Sequence, residues 1–201
     1  CSALSSTGPA TVDAHVGGAN TAAFAGADGT TYYFTITARD TADNLTATTC
    51  SPAMLLDVTF PAAATSQAWA EVTPHNATTI TANWDLSTAT DIQSQTLNYY
   101  TDTSCSGAID TTRVLSNIAV SDIFTGVGNP NSNYYYEVLT IDNAFNSTAS
   151  GCSPVMRVDT IFPTTPTLGT WFEGTLTNSG IVTAQWTNGG SADEINQRLD
   201  F

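Results

Sequence analysis

The sequence predicts an all-β chain of tandem sandwich repeats, each about 102 residues long, with the terminal repeats incomplete. Three observations carry this expectation. A long stretch occurs twice, apolar residues alternate with a period of two, and no segment shows a 3.6-residue apolar period with caps.

The repeat is the strongest of the three. "TYYFTITARDTADNLTATTCSP" (Thr31 to Pro52) returns as "NYYYEVLTIDNAFNSTASGCSP" (Asn133 to Pro154), a shift of 102. Without a gap, Asp40 falls on Asp142, Cys50 on Cys152, Asp57 on Asp159, Trp69 on Trp171 and Trp84 on Trp186. The match persists to Leu97 on Leu199, with about a third of the positions identical. Upstream, Cys1-Ser2 corresponds to Cys105-Ser106, with two extra residues in the first copy's connection.

Each unit reads as strands. "YYFTITARD" sets Tyr32, Phe34, Ile36 and Ala38 on one face, and the second copy sets Tyr134, Tyr136, Val138 and Thr140 there. "TTITANW" and "GIVTAQW" alternate likewise and end in an aromatic, while "QTLNYYTD", "TTRVLSNI" and "SPVMRVDT" supply further short strands. Turn-forming clusters such as "DLSTATD", "SCSGAID" and "DNAFN" separate them. About seven short strands per hundred residues is the density of a β-sandwich.

These residues carry a family resemblance. A Trp in the second strand, followed later by Tyr-x-Tyr/Phe-x-Val/Ile-x-Ala/Thr-x-Asp, resembles fibronectin type III and related bacterial immunoglobulin-like repeats of secreted surface proteins. The resemblance implies that Trp84 and Trp186 fill the core between the sheets and that Tyr32 and Tyr134 make a tyrosine corner. It also casts "VDTIFPTTP" (Val158 to Pro166) as a Pro-rich joint between tandem units.

In this register residues 59–160 form a complete repeat. Residues 1–58 are the late strands (C′ to G) of one sandwich, and residues 161–201 the early strands (A to C) of another. Two arrangements follow: a window on a longer tandem array, or half-sandwiches completed by neighbouring subunits, head to tail. Either way, isolated end segments leave apolar faces and strand edges exposed, so the 201-residue chain is not expected to behave as a well-folded monomer.

Composition narrows the function. Eighteen acidic residues stand against four basic ones, all arginine, for a net charge of −14. That surface repels nucleic acid and anionic lipid. No apolar run is long enough to span a membrane, and no initiator Met or signal sequence is present, so the expectation is a processed end or a start within a longer polypeptide. Four cysteines with matched spacing suggest an oxidising, extracellular compartment.

Repeat symmetry favours Cys1–Cys50 and Cys105–Cys152 among the three possible connectivities. The second pair asks the loop after strand C to fold across strand F. Cys1-Ser2 also resembles the mature start of a bacterial lipoprotein. His15 and His75 have no counterparts in the other copy, no G-x-S-x-G elbow occurs, and paired glycosidase carboxylates are unmarked, so no catalysis is expected. No cofactor is expected either, although Asp40, Asp43, Asp57, Asp142 and Asp159 near loops and joints offer oxygen ligands for calcium.

Asn44, Asn76 and Asn146 fit the N-glycosylation pattern, with Asn44 and Asn146 expected to be exposed in equivalent turns. Tyr33, Tyr135 and Tyr100 are expected on the outer face, where they support strand packing, subunit contact or a glycan site. The leading expectation is a non-enzymatic building block of an extracellular fibre, stalk or surface array, partnered by copies of itself or adjacent repeats. The alternative is an adhesin or carbohydrate-binding accessory module.

Overall fold

A computed structural model describes residues 21, 23–127, 132–192 and 196–200. Among these residues the regular structure is all β. The central sandwich opens with β5 (Thr65–Trp69) and β6 (Thr79–Asp85), followed by β7 (Ile92–Tyr100) and β8 (Thr111–Ser116). It closes with β9 (Ser121–Thr125), β10 (Ser132–Asp142), β11 (Ser147–Ala149) and β12 (Met156–Val158). One sheet has the order β5-β6-β9, and the other β11-β10-β7-β8 with β12 also on β10. All named strand pairs are antiparallel, so every connection can be a hairpin or a short crossing between sheets.

Alternation explains what fills the space between the sheets. Along β6, Ile80, Ala82 and Trp84 point inward; from β7 come Leu97 and Tyr99, and from β10 Tyr134, Tyr136 and Val138. Phe124, Met156 and Val158 complete the layer. Its rings interlock, with Tyr99 stacked on Phe124 at 4.5 Å and Trp69 edge-on to Tyr136 at 4.9 Å, geometries that the ring quadrupoles favour.

The flanking segments repeat pieces of this scaffold. Before it lie β1 (Thr30–Tyr32), β2 (Thr37–Arg39), β3 (Leu45–Ala47) and β4 (Met54–Leu56); after it lie β13 (Thr167–Trp171) and β14 (Ala184–Thr187). Tyr32 pairs with Met54 as Tyr134 pairs with Met156, and Trp171 pairs with Ala184 as Trp69 pairs with Ala82. Side chains repeat too. Ser51 Oγ accepts the Phe34 amide as Ser153 Oγ accepts the Tyr136 amide, and Glu173 accepts the Thr183 amide as Glu71 accepts that of Thr81.

One difference is instructive. The counterpart of the eleven-residue β10 is broken into β1 and β2. In the sandwich β7 holds β10 from Tyr135 to Asp142; among the described residues no strand plays that part beside β1 and β2. A strand paired along one edge only keeps just the stretches its hairpin partners fix. Residues 196–200, where strand C of a further repeat was expected, likewise contain no strand.

Candidate functional site

Apart from the Thr140 hydroxyl, which has no hydrogen-bond partner, the buried polar side chains of the central sandwich are satisfied locally. The Trp84 indole donates to Gln95 Oε1 at 2.8 Å, and Gln95 Nε2 donates to the carbonyls of Ser116 and Ala119. The Tyr99 hydroxyl donates to Asp122, whose carboxylate also meets Arg113 at 3.2 Å. Burial first, then the Asp122 charge, pushes the Tyr99 phenol up.

The cross-sheet tyrosine is Tyr136 rather than Tyr134. Its hydroxyl takes the Ala68 amide at 2.8 Å and reaches the carbonyls of Ala68 and Asn83, while Tyr134 packs in the core with its ring 6.2 Å from Phe124. Burial pushes the Tyr136 phenol up to about 12. Tyr136→Phe is expected to cost about 1–3 kcal/mol, since it leaves those backbone groups without their partner. The midpoint of denaturant unfolding checks it, and an unchanged midpoint would remove Tyr136 from this role.

Cys105 and Cys152 are joined, with Cα atoms 5.6 Å apart, and no described cysteine is free. Cys1 lies outside the described residues, so its pairing is not described. The Cys105–Cys152 bridge also corrects the outer-face reading of two tyrosines. Tyr100 and Tyr135 do face away from the main core, but they are only 4% and 7% exposed, clustered with Cys105 and Cys152. The loop that crosses to form the disulfide covers them. Tyr33, in contrast, is exposed.

The remaining candidates separate by position. Asn76 and Asn44 are exposed. Asn146 is not the freely exposed turn residue expected: its Nδ2 donates to Asp142 Oδ2 at 2.9 Å and to the carbonyls of Asp57 and Thr59, each at 3.2 Å. Asn146 thus grips the joint before the sandwich. Asp28 grips it from the other side, accepting the Val58 amide at 2.8 Å and the Thr59 hydroxyl. His15 lies outside the described residues, and His75 forms a parallel bridge with Val158 and shares a hydrogen bond with the Thr79 carbonyl.

Carboxylate oxygens of Asp57, Asp91 and Asp142 lie within 4.8 Å of one another at this joint, and oxygen donors of this kind suit calcium. Asp142 is already used: its Oδ1 takes the amides of Ala144 and Asn146 and its Oδ2 the Asn146 side chain. Asp40 builds the same turn with Ala42 and Asn44, so the repeated Asp holds equivalent turns in both copies.

Among the described residues, most of the exposed large apolar side chains lie at the two ends. Phe34 and Ile36 are 63% and 58% exposed, where their counterparts Tyr136 and Val138 are fully buried. Val182 is 55% exposed where Ile80 is buried. Trp186, expected in a core, is 42% exposed although its indole still holds Gln197 as Trp84 holds Gln95. Tyr32, also expected in a core, is half-buried against Phe24. The reason is common to all five: each lies in or beside the strands of a single sheet that has no opposing sheet packed on it. A hollow of about 320 Å³ beside Leu168, Trp186, Gln197 and Leu199 marks the uncovered side of the C-terminal pair.

A three-stranded β5-β6-β9 sheet facing β8-β7-β10-β11 corresponds to strands A-B-E facing C′-C-F-G. The sandwich is fibronectin type III-like. No protein-family model and no curated protein matches the chain. Among solved structures, it resembles the FN1-FN3 domains of chicken CNTN1 at 15% identity and TM-score 0.45, over 66% of this chain and 43% of that one. It also resembles the third fibronectin III domain of human KIAA0343 protein, at 19% identity and TM-score 0.39, over 53% of this chain and 90% of that one. Among the described residues, no helix is long and apolar enough to cross a membrane.

Proposed function

We propose that the chain is a non-enzymatic structural building block of an extracellular fibre, stalk or surface array. The observation that carries this reading is the repetition of one geometry, strand register and side-chain bonds included, on both sides of a disulfide-stapled sandwich. A module that recurs at a fixed interval, with its joint gripped by Asn146 and Asp28, sets length and direction and needs no reacting group. The disulfide and the acidic, lysine-free composition suit an oxidising exterior. Burial of Tyr100 and Tyr135 takes away the aromatic strip on which a glycan would stack, and so favours the structural reading over the adhesin one.

Immunogold electron microscopy tests it, using antibody raised against the sandwich and cells that make the protein. Gold along extracellular fibres or over the surface layer is the expected result. Label confined to the cell interior would overturn the reading.

A further inference from the structure

The two exposed ends are opposite halves of one sandwich. The C-terminal pair β13–β14 repeats β5–β6, which belong to the three-stranded sheet. The N-terminal strands repeat β10, β11 and β12, which belong to the other sheet. In the central sandwich those two sheets close on each other. At the ends each half presents its inward face to solvent, and β13–β14 pairs with none of the N-terminal strands.

We propose that a second copy of this chain covers these faces, the β13–β14 sheet of one copy closing on the β1–β4 and β2–β3 strands of the next. This rests on the structural reading above and names the partner it needs. The contact joins two different surfaces, so it leaves one of each unfilled and extends into a linear chain of subunits.

The central sandwich specifies the contacts. The Trp69 indole donates to the Pro154 carbonyl at 2.8 Å, so the Trp171 indole meets the Pro52 carbonyl of the next copy. Val138 and Ile80 are both fully buried in the central core, so Ile36 and Val182 become core residues of the new one. Asn146 holds the carbonyls of Asp57 and Thr59, so Asn44 takes those of Asp159 and Ile161, and the new joint is gripped like the first. The Asp159 turn is already set for this, as its Oδ1 accepts the Ile161 amide just as Asp57 accepts that of Thr59. Phe34 stands where Tyr136 would be, so this position is held by packing without the hydroxyl bonds.

The test uses the full chain and two variants, Ile36→Asp and Val182→Asp. Both substituted positions are more than half exposed in the single chain and lie outside the central sandwich, whose thermal unfolding serves as the control for folding. In the closed contact each places a charge in a core, which blocks one face only. Sedimentation equilibrium is run from about 1 µM to about 100 µM, a range that brackets a micromolar contact.

The wild-type mass should climb past twice the 21.0 kDa of one chain as concentration rises. Each variant alone should remain at one chain, because every copy lacks the same face. An equimolar mixture should stop at two chains, with the intact C-terminal face of Ile36→Asp on the intact N-terminal face of Val182→Asp. A wild-type chain that stays single throughout, variants that still self-associate, or a mixture that forms no pair would each overturn the proposal. A single wild-type chain together with gold-labelled extracellular fibres would reject the second-copy contact and leave the structural reading standing. Label confined to the cell interior would reject that reading itself.

Discussion

Trp84→Ala should lower the stability of the central sandwich by about 3–5 kcal/mol, the cost of removing a large buried aromatic side chain. Trp84 is 3% exposed and lies between the sheets, its ring 6.3 Å from Tyr136. Its removal also strands Gln95 Oε1, the acceptor of the indole proton, in a residue only 1% exposed. That orphaned acceptor puts the expected cost at the upper end of the range. In a domain of this size each kcal/mol lowers the melting temperature by about 4–8 °C.

Trp186→Ala is the matched control, because it removes the same side chain from the same strand position with the same glutamine partner. At 42% exposure on an uncovered sheet, its loss in the single chain should cost about 1 kcal/mol or less. Chemical denaturation followed by far-ultraviolet circular dichroism measures both without relying on tryptophan emission. Equal costs would mean that Trp186 is already in a finished core, and the open-faced description of the C-terminal pair would fall. If subunits pair, the cost at Trp186 should rise towards that at Trp84 as concentration increases.

The sequence carries the sandwich plainly because its signals are local and repeated. Ile80, Ala82 and Trp84 alternate with polar residues, and a strand covered on one face needs nothing more to be recognised. The repeat then extends one reading to the other copy. What was not legible depends on contacts between distant segments. Tyr134 and Tyr136 satisfy the same inward pattern, and only the approach of Ala68 and Asn83 selects Tyr136 as the cross-sheet residue.

Period-two alternation correctly puts Tyr135 on the other face from Tyr136, yet it cannot say that a loop closes over that face. Asn146 illustrates a different limit. Its tripeptide pattern describes a peptide substrate, whereas the folded amide is occupied by Asp142 and the joint carbonyls. The exposure of Trp186 and Ile36 follows from the repeat boundaries, which leave each end with half a sandwich, and not from alternation, which identifies an inward face and cannot say whether an opposite sheet is present.

Reduction of Cys105–Cys152 should remove about 4 kcal/mol of stability in the chain-entropy account, given a sequence separation of 47. The bond constrains the unfolded chain, and it also holds the crossing loop over Tyr100 and Tyr135. Two readouts therefore follow. The denaturation midpoint should fall on adding reductant, and a Cys105→Ser/Cys152→Ser double variant should reproduce the fall without one. Tyrosine nitration mapped by mass spectrometry should label Tyr33 in both states, but Tyr100 and Tyr135 only after reduction, because Tyr33 is 54% exposed and the other two are covered.

A lowered midpoint with no new nitration would mean that packing holds the loop in place and the bond acts only on the unfolded state. Nitration of Tyr100 and Tyr135 in the oxidised protein would show that the loop does not shield them, and would restore an aromatic strip to the outer face. An unchanged midpoint would mean that the bond does not stabilise the sandwich. A repeat under tension gains from a covalent loop because 47 residues of chain stay locked when its strands separate, shortening what each unit can extend by about 160 Å at some 3.4 Å per residue.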